Sequence, residues 1–266
     1  MRRALILSAA LTAAATTGLA QTRGSQADTC ADSGRRYDRR ASFCEVREET
    51  VGRRDAIDID AGTNGGISIK GSNRRDILVR AIVRGYADSD ANARRLTSAV
   101  QLVTRDGRIR AEGPSSDRYE HWSASFEVEV PQTTRVTLNT HNGGIALDDF
   151  RGTADFRAVN GGVSLNAVSG DIRGTTTNGG LKVDLNGDRW EGRGLDVETH
   201  NGGISLTLPA RYSAELETGT VNGGLDISFP ITVKGWLGRT VTTTLGSGGP
   251  RVRVMTTNGG VSIRRR

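Results

Sequence analysis

The chain has 266 residues, 35 of them glycine and 5 proline, with 35% hydrophobic and 5% aromatic residues. That composition excludes a thick core of large side chains and suits a thin one of Val, Ile, Leu and Thr between short strands. The formal charge is +6, but no aromatic cluster or nucleic-acid module accompanies it, so nucleic acid is not an expected partner.

Residues 1–20, "MRRALILSAALTAAATTGLA", carry two arginines, an apolar stretch and small residues before a cut expected after Ala20. The apolar stretch is too short to anchor the chain across a bilayer, and Cys30 lies too far on for a lipoprotein cut. The mature chain is expected to be periplasmic or secreted to the cell surface, with no later transmembrane segment. Loss of Arg2 and Arg3 leaves it at +4. Arginine pairs such as Arg53-Arg54 and Arg94-Arg95 are interspersed with 30 acidic residues. The plain reading is a solvated surface of mixed sign; the sharper one is attraction to anionic envelope polymers or lipid headgroups.

Residues 21–54 read as a separate arm or cap. In an oxidising compartment Cys30 and Cys44 are expected to form one disulfide, worth roughly 3 kcal/mol in the chain-entropy model. Two thiols with no histidine nearby do not suggest a metal. Next, Ile77 to Tyr86 reads as a strand. A short helix is expected over about 89–99, capped at Asp88 or Ser89, with Ala93, Leu96 and Val100 on one face. His121 to Val130 is another strand, in which Trp122, Ala124, Phe126, Val128 and Val130 alternate.

The rest of the chain repeats itself. Asn-Gly-Gly begins at Asn64, Asn142, Asn160, Asn178, Asn201, Asn222 and Asn258, with spacings of 18, 18, 23 and 21 from Asn142 to Asn222. A period near twenty points to a β-solenoid. Six, four and two residues before the later asparagines stand inward-type residues, among them Val136-Leu138-Thr140, Ile172-Gly174-Thr176 and Val252-Val254-Thr256. After each motif an apolar pair resumes, such as Ile145 and Leu147 or Ile204 and Leu206, around an outward residue that is mostly serine. Gly152, Gly170, Gly187, Pro209 and Pro230 mark a second corner. The coils should stack at about 4.8 Å.

Glycine permits positive φ, so Asn-Gly-Gly is expected to be the sharp corner of each coil. Its asparagine shares the parity of the inward residues, which predicts a buried column of mutually bonded amides. Ile57 and Ile59 precede Asn64 at odd offsets, so either a bulge near Ala61-Gly62 or a different arrangement is expected there. Arg264, Arg265 and Arg266 follow the last strand, where charge discourages edge pairing or meets anionic lipid.

Chemistry-bearing residues are sparse. Of His121, His141 and His200, the last two precede motifs three repeats apart, too distant to share a metal. Asp148, Asp149, Asp171, Asp184, Asp188 and Asp196 are the candidates for a paired-carboxylate, polysaccharide-cleaving site, but they fall at corners and outer positions. No catalytic residue, cofactor or metal is expected.

The export signal, the early helix, the repeated T-x-N-G-G-[ILV]-x-[ILV] and the closing "GSGGPRVRVMTTNGGVSI" together resemble the bacterial putative-adhesin family of β-strand-repeat proteins, over roughly residues 55–266. That resemblance implies a single right-handed β-solenoid (β-helix-like) of coils about 18–23 residues long, an envelope or extracellular setting and no catalytic residues to carry over. The expected function is a non-catalytic exported scaffold presenting a rigid face to an envelope or surface component. The alternatives are a carbohydrate-active enzyme acting on envelope polysaccharide and an envelope-stress accessory protein.

Overall fold

The computed structural model describes residue 30 and residues 40–230 and 239–266. The expected export signal at 1–20 and most of the expected arm lie outside them. In chain order the elements are β1 (Ala41–Val51), β2 (Ala56–Asp60), β3 (Ile67–Ser72), β4 (Ile77–Ala87), α1 (Asp90–Ala99), β5 (Gln101–Val103), β6 (Arg108–Glu112) and β7 (His121–Pro131). Then come β8 (Arg135–Thr140), β9 (Ile145–Asp148), β10 (Thr153–Asn160), β11 (Val163–Asn166), β12 (Asp171–Asn178), β13 (Leu181–Asp184), β14 (Gly194–Asn201) and β15 (Ile204–Leu208). The chain closes with β16 (Ala214–Asn222), β17 (Leu225–Ile227), β18 (Thr240–Leu245), β19 (Arg251–Asn258) and β20 (Val261–Arg265).

Among the described residues these form two ten-stranded sheets. The first runs β1-β4-β7-β3-β9-β11-β13-β15-β20-β17 and the second β18-β16-β19-β14-β12-β10-β8-β2-β6-β5. From β8 to β15 each coil gives one strand to each sheet, parallel to its neighbours and in register, as in Phe156 opposite Leu138 and Leu165 opposite Leu147. Period-two alternation makes this work. Every second residue points between the sheets, and Val136, Leu138, Ile172, Val197, Leu206 and Val254 are all buried there. Gly174 has no side chain because the Phe156 ring of the preceding coil occupies that space, 2.3 Å from where a Cβ would stand.

The expected single solenoid of sequential coils gives way to two mixed sheets without a closed solenoid along the whole length. At one end β4 pairs antiparallel with β1 and β7; at the other β18 pairs antiparallel with β16. Strand order also departs from chain order at both ends. The β2–β3 coil lies between β6–β7 and β8–β9, and the final β19–β20 coil lies between β14–β15 and β16–β17. Ala41–Val51 of the expected arm is a strand paired along its whole length with β4, and Cys44 on it is disulfide-bonded to Cys30.

The early helix is α1. Ser89 is its N-cap, accepting from the Asn92 amide at 3.3 Å, and Ala93, Leu96 and Thr97 face inward. It seats on β4, where a Cβ at Gly85 would lie 2.7 Å from the Ala93 carbonyl oxygen. Arg47 of β1 donates to the Thr97 carbonyl at 2.9 Å and to that of Val100, satisfying orphan carbonyls of the last turn.

The odd parity of the first motif is absorbed at Ala61-Gly62. Asp60 lies opposite Asn139, while the Asn142 amide donates to Thr63, so one extra residue is accommodated between them. Gly62 takes φ +63° and its amide donates to Asp60 Oδ1 at 2.8 Å.

Candidate functional site

The coils approach one another closely at the Asn-Gly-Gly corners. In spatial order the seven asparagines are Asn64, Asn142, Asn160, Asn178, Asn201, Asn258 and Asn222. Each Nδ2 donates to the Oδ1 of the preceding one at 2.8–3.0 Å, giving one unbroken ladder. The expected buried column is instead a surface one, with only Asn258 half-buried. Inward alternation ends at the threonine, because the chain is already turning. His141 with Asn142, Thr177 with Asn178 and His200 with Asn201 are all exposed.

The role expected of the glycines also needs correction. Among the motif glycines only Gly259 has positive φ. Positive φ belongs to the opposite corner, at Asp149, Ala167, Gly170, Gly187 and Gly192. The first glycine of each motif is required by close approach. A Cβ there would stand 2.0–2.2 Å from the carbonyl oxygen of the neighbouring coil.

The threonine of T-x-N-G-G has a role that its smallness alone did not reveal. Thr176, Thr199, Thr256 and Thr220 are buried and donate to the carbonyls of Gly161, Gly179, Gly202 and Gly259 at 2.7–2.8 Å. The recurrence of a β-branched hydroxyl at one fixed position was the sequence signal for it. Thr199→Val keeps the shape and leaves the Gly179 carbonyl unpaired. It should cost about 1–3 kcal/mol, read as a lowered urea midpoint with an unchanged m-value; no shift would refute the role.

The two outer faces differ. On the first sheet, Ser68, Ala146, Ser164, Lys182, Ser205 and Ser262 lie side by side on consecutive strands. Beside the second motif glycines they floor a shallow open groove of about 560 Å³ along Gly162, Ser164, Gly180, Lys182, Gly203 and Ser205. The second sheet's outer face carries a self-neutralising charge cluster around Arg253. Arg253 is held by Asp196 at 2.7 Å, Glu198 at 3.4 Å and Glu217 at 3.5 Å, and Arg251 meets Glu217 at 2.6 Å.

The candidate acids are not brought together as a pair. Asp148 accepts from Asn166 at 3.1 Å, and Asp171 meets Arg173 and Arg193 at 3.5 and 3.7 Å. Asp184 meets Arg266 at 3.0 Å, Asp188 meets Arg189 at 3.4 Å, and Asp196 belongs to Arg253. Asp149 sits exposed at a corner with φ +51°. The arginine tail is used within the molecule rather than guarding an edge, since β20 is an interior strand. Arg266 also donates to the Leu185 carbonyl at 2.8 Å, Arg264 reaches Asp226 at 3.8 Å, and Arg265 lies 4.0 Å over the Phe229 ring.

His141 and His200 are exposed on separate coils. No group of three or more potential metal ligands occurs among the described residues. His121 stacks on Tyr86 at 4.8 Å, with the Arg40 guanidinium 3.4 Å from its Nδ1. Burial, and then the Arg40 charge, lower its pKa. A group whose folded pKa is depressed loses its stabilising contribution as pH falls, because the unfolded chain binds the proton first. Stability should therefore decline below about pH 6.5. His121→Gln should flatten that part of the profile in denaturation series; an unchanged slope would reject the assignment.

With this geometry in hand, residues 52–264 match the Toastrack DUF4097 family. The chain belongs to that family. The DUF4097 match begins directly after β1, so the disulfide-bearing strand stands outside it. No curated protein matches the chain. Among solved structures, a "putative cell adhesion protein" from Clostridium sporogenes is 12% identical, covers 84% of this chain and 100% of its own, and has a TM-score of 0.42. A "putative adhesin" from Bacteroides fragilis is 13% identical over 84% and 97%, with a TM-score of 0.33. A "putative lipid binding protein" from Parabacteroides distasonis is 12% identical over 84% and 97%, with a TM-score of 0.35. No helix among the described residues is long and apolar enough to cross a membrane.

Proposed function

We propose that this DUF4097 protein is an exported, non-catalytic, adhesin-like scaffold. Its stacked coils, wound as a right-handed β-solenoid through their parallel section, present the first sheet's outer face to an envelope or surface component. The observation that carries the reading is the contrast between the two faces. Around Arg253 the charges on the second sheet satisfy one another across strands, whereas the first sheet offers a row of mostly Ser, with Ala146 and Lys182, beside glycines over a shallow groove. A strip repeating at about 4.8 Å fits an extended polymer with a similar spacing of hydrogen-bonding groups. The positive net charge and Lys182 in the groove favour an anionic polymer. The disulfide supports an oxidising compartment outside the cytoplasm.

The paired-carboxylate alternative has no observation in its favour, because the acids tested for it are engaged by cations or an amide, or stand alone at a corner. The two readings separate in one experiment. Ser164→Glu with Ser205→Glu should cut retention of the purified protein on envelope material several-fold without changing its thermal midpoint, and Asp171→Asn with Asp196→Asn should leave retention intact. Undiminished retention in the serine variant would refute the face. Polysaccharide cleavage by the native protein that disappears in the aspartate variant would establish an enzyme instead.

A further inference from the structure

Each of the seven motifs is an Asn-Gly sequence, which can deamidate without any enzyme. The glycine nitrogen gives up its proton to solvent base and attacks the asparagine Cγ. The N–Cγ bond forms, the Cγ–Nδ2 bond breaks, and Nδ2 leaves as ammonia. Water then opens the succinimide to aspartate or isoaspartate. No oxidant or cofactor is required. The reaction does require a free side-chain amide and a free glycine N–H.

The ladder withholds both at Asn160, Asn178, Asn201 and Asn258. At Asn178 the Nδ2 donates to Asn160 at 2.8 Å, the Oδ1 accepts from Asn201 at 2.9 Å, and the Gly179 N–H donates to the Asn201 carbonyl at 3.0 Å. The N–H groups of Gly161, Gly202 and Gly259 are engaged in the same way, by Asn178, Asn258 and Asn222 at 2.9–3.0 Å. Three hydrogen bonds must therefore break together before Asn160, Asn178, Asn201 or Asn258 can react.

We infer that Asn222 is the site of spontaneous deamidation in the folded protein. It ends the ladder, so its side chain keeps one bond within it, from Nδ2 to Asn258 Oδ1 at 2.8 Å. The Gly223 N–H has no protein acceptor among the described residues. Val221 to Gly224 are all exposed, and among the described residues nothing stands within 4 Å of a Cβ placed on Gly224, so solvent base reaches the Gly223 N–H although the Asn222 and Gly224 carbonyls accept from Gly259 and Val261 at 3.0 and 2.9 Å. The other end is unlike it. Gly65 is buried, and a Cβ on it would lie 2.0 Å from the Ala124 carbonyl oxygen. At Asn142 the Gly143 N–H also has no backbone acceptor among the described residues, but both ends of the side-chain amide are held, by Asn64 and Asn160. Conversion at Asn222 replaces a donor with a carboxylate facing Asn258 Oδ1, so the last rung opens and the protein gains one negative charge.

The test uses the native chain. Folded protein is incubated in warm, mildly alkaline buffer and digested, and each motif peptide is followed by mass spectrometry with chromatographic separation of the aspartate and isoaspartate forms. A parallel sample in denaturant, where all seven sites share the sequence Asn-Gly-Gly, supplies the unprotected rate of each. Asn222 should convert several-fold faster than Asn178 in the folded sample and approach its own denatured rate. The proposal fails if Asn178, or any other interior site, keeps pace with Asn222 in folded protein. It fails equally if Asn222 stays intact while the denatured sample converts.

Discussion

Gly161→Ala is expected to destabilise the protein by at least about 3 kcal/mol, at the severe end for a single methyl group. The added Cβ would lie 2.0 Å from the Gly143 carbonyl oxygen and 2.4 Å from its carbon. Both are backbone atoms of a coil fixed in two sheets, so neither can swing aside as a side chain would. Relief requires parting two coils and with them the ladder bond between Asn160 and Asn142. The adjacent Gly162→Ala is the control. Its Cβ would meet the Gly180 carbonyl oxygen at 3.4 Å, and the change should stay within about 1 kcal/mol because alanine also loses less backbone freedom on folding. Guanidinium denaturation of the two variants decides the matter, and equal losses would mean that close approach is not what fixes glycine in the motif.

Arg253→Glu is the second large effect, at roughly 3 kcal/mol. Arg253 lies between Asp196 of β14 on one side and Glu217 of β16 on the other, in one register row. Were β16 stacked directly on β14 in chain order, that row would set Asp196 against Glu217, and like charges directly opposite are destabilising. Inserting β19 places Arg251 and Arg253 between the acids. Glutamate at 253 would put a fourth carboxylate among Asp196, Glu198 and Glu217, and would loosen the β16–β17 coil, which docks mainly through β19 and β20. Beyond the lowered midpoint, limited proteolysis should cut residues 209–250 faster. Arg157→Glu, on an exposed position of β10 flanked by Asn139 and Thr175, should change stability by no more than about 0.5 kcal/mol. Similar losses at 157 and 253 would argue that the charge sandwich does not hold the inserted coil.

Much of the architecture was legible from residue type and period. The residues six, four and two before the later asparagines are buried, save Gly174, which is half-buried under Phe156. The helix is capped at Ser89, one of the two caps expected, and the odd offset of Ile57 and Ile59 corresponds to an extra residue at Gly62. These are local matters: alternation, caps and bulges depend on neighbours in sequence. The reason for Asn-Gly-Gly was not legible, because sequence shows that glycine is present but not whether φ or a neighbouring carbonyl demands it. The asparagine's burial was misjudged for a related reason, since parity stops counting once the chain turns.

The sequence by itself determined the strands, their inward faces and the recurrence of a corner every twenty residues or so, because each follows from short-range pattern. Which coil lies beside which was decided only by the tertiary structure. Coils with the same period and the same inward faces are interchangeable as neighbours, so no local preference ranks their order. The choice falls to contacts between residues far apart in the chain. Arg253 reaching Asp196 and Glu217 is such a contact, and the ladder running from Asn201 through Asn258 to Asn222 records the outcome.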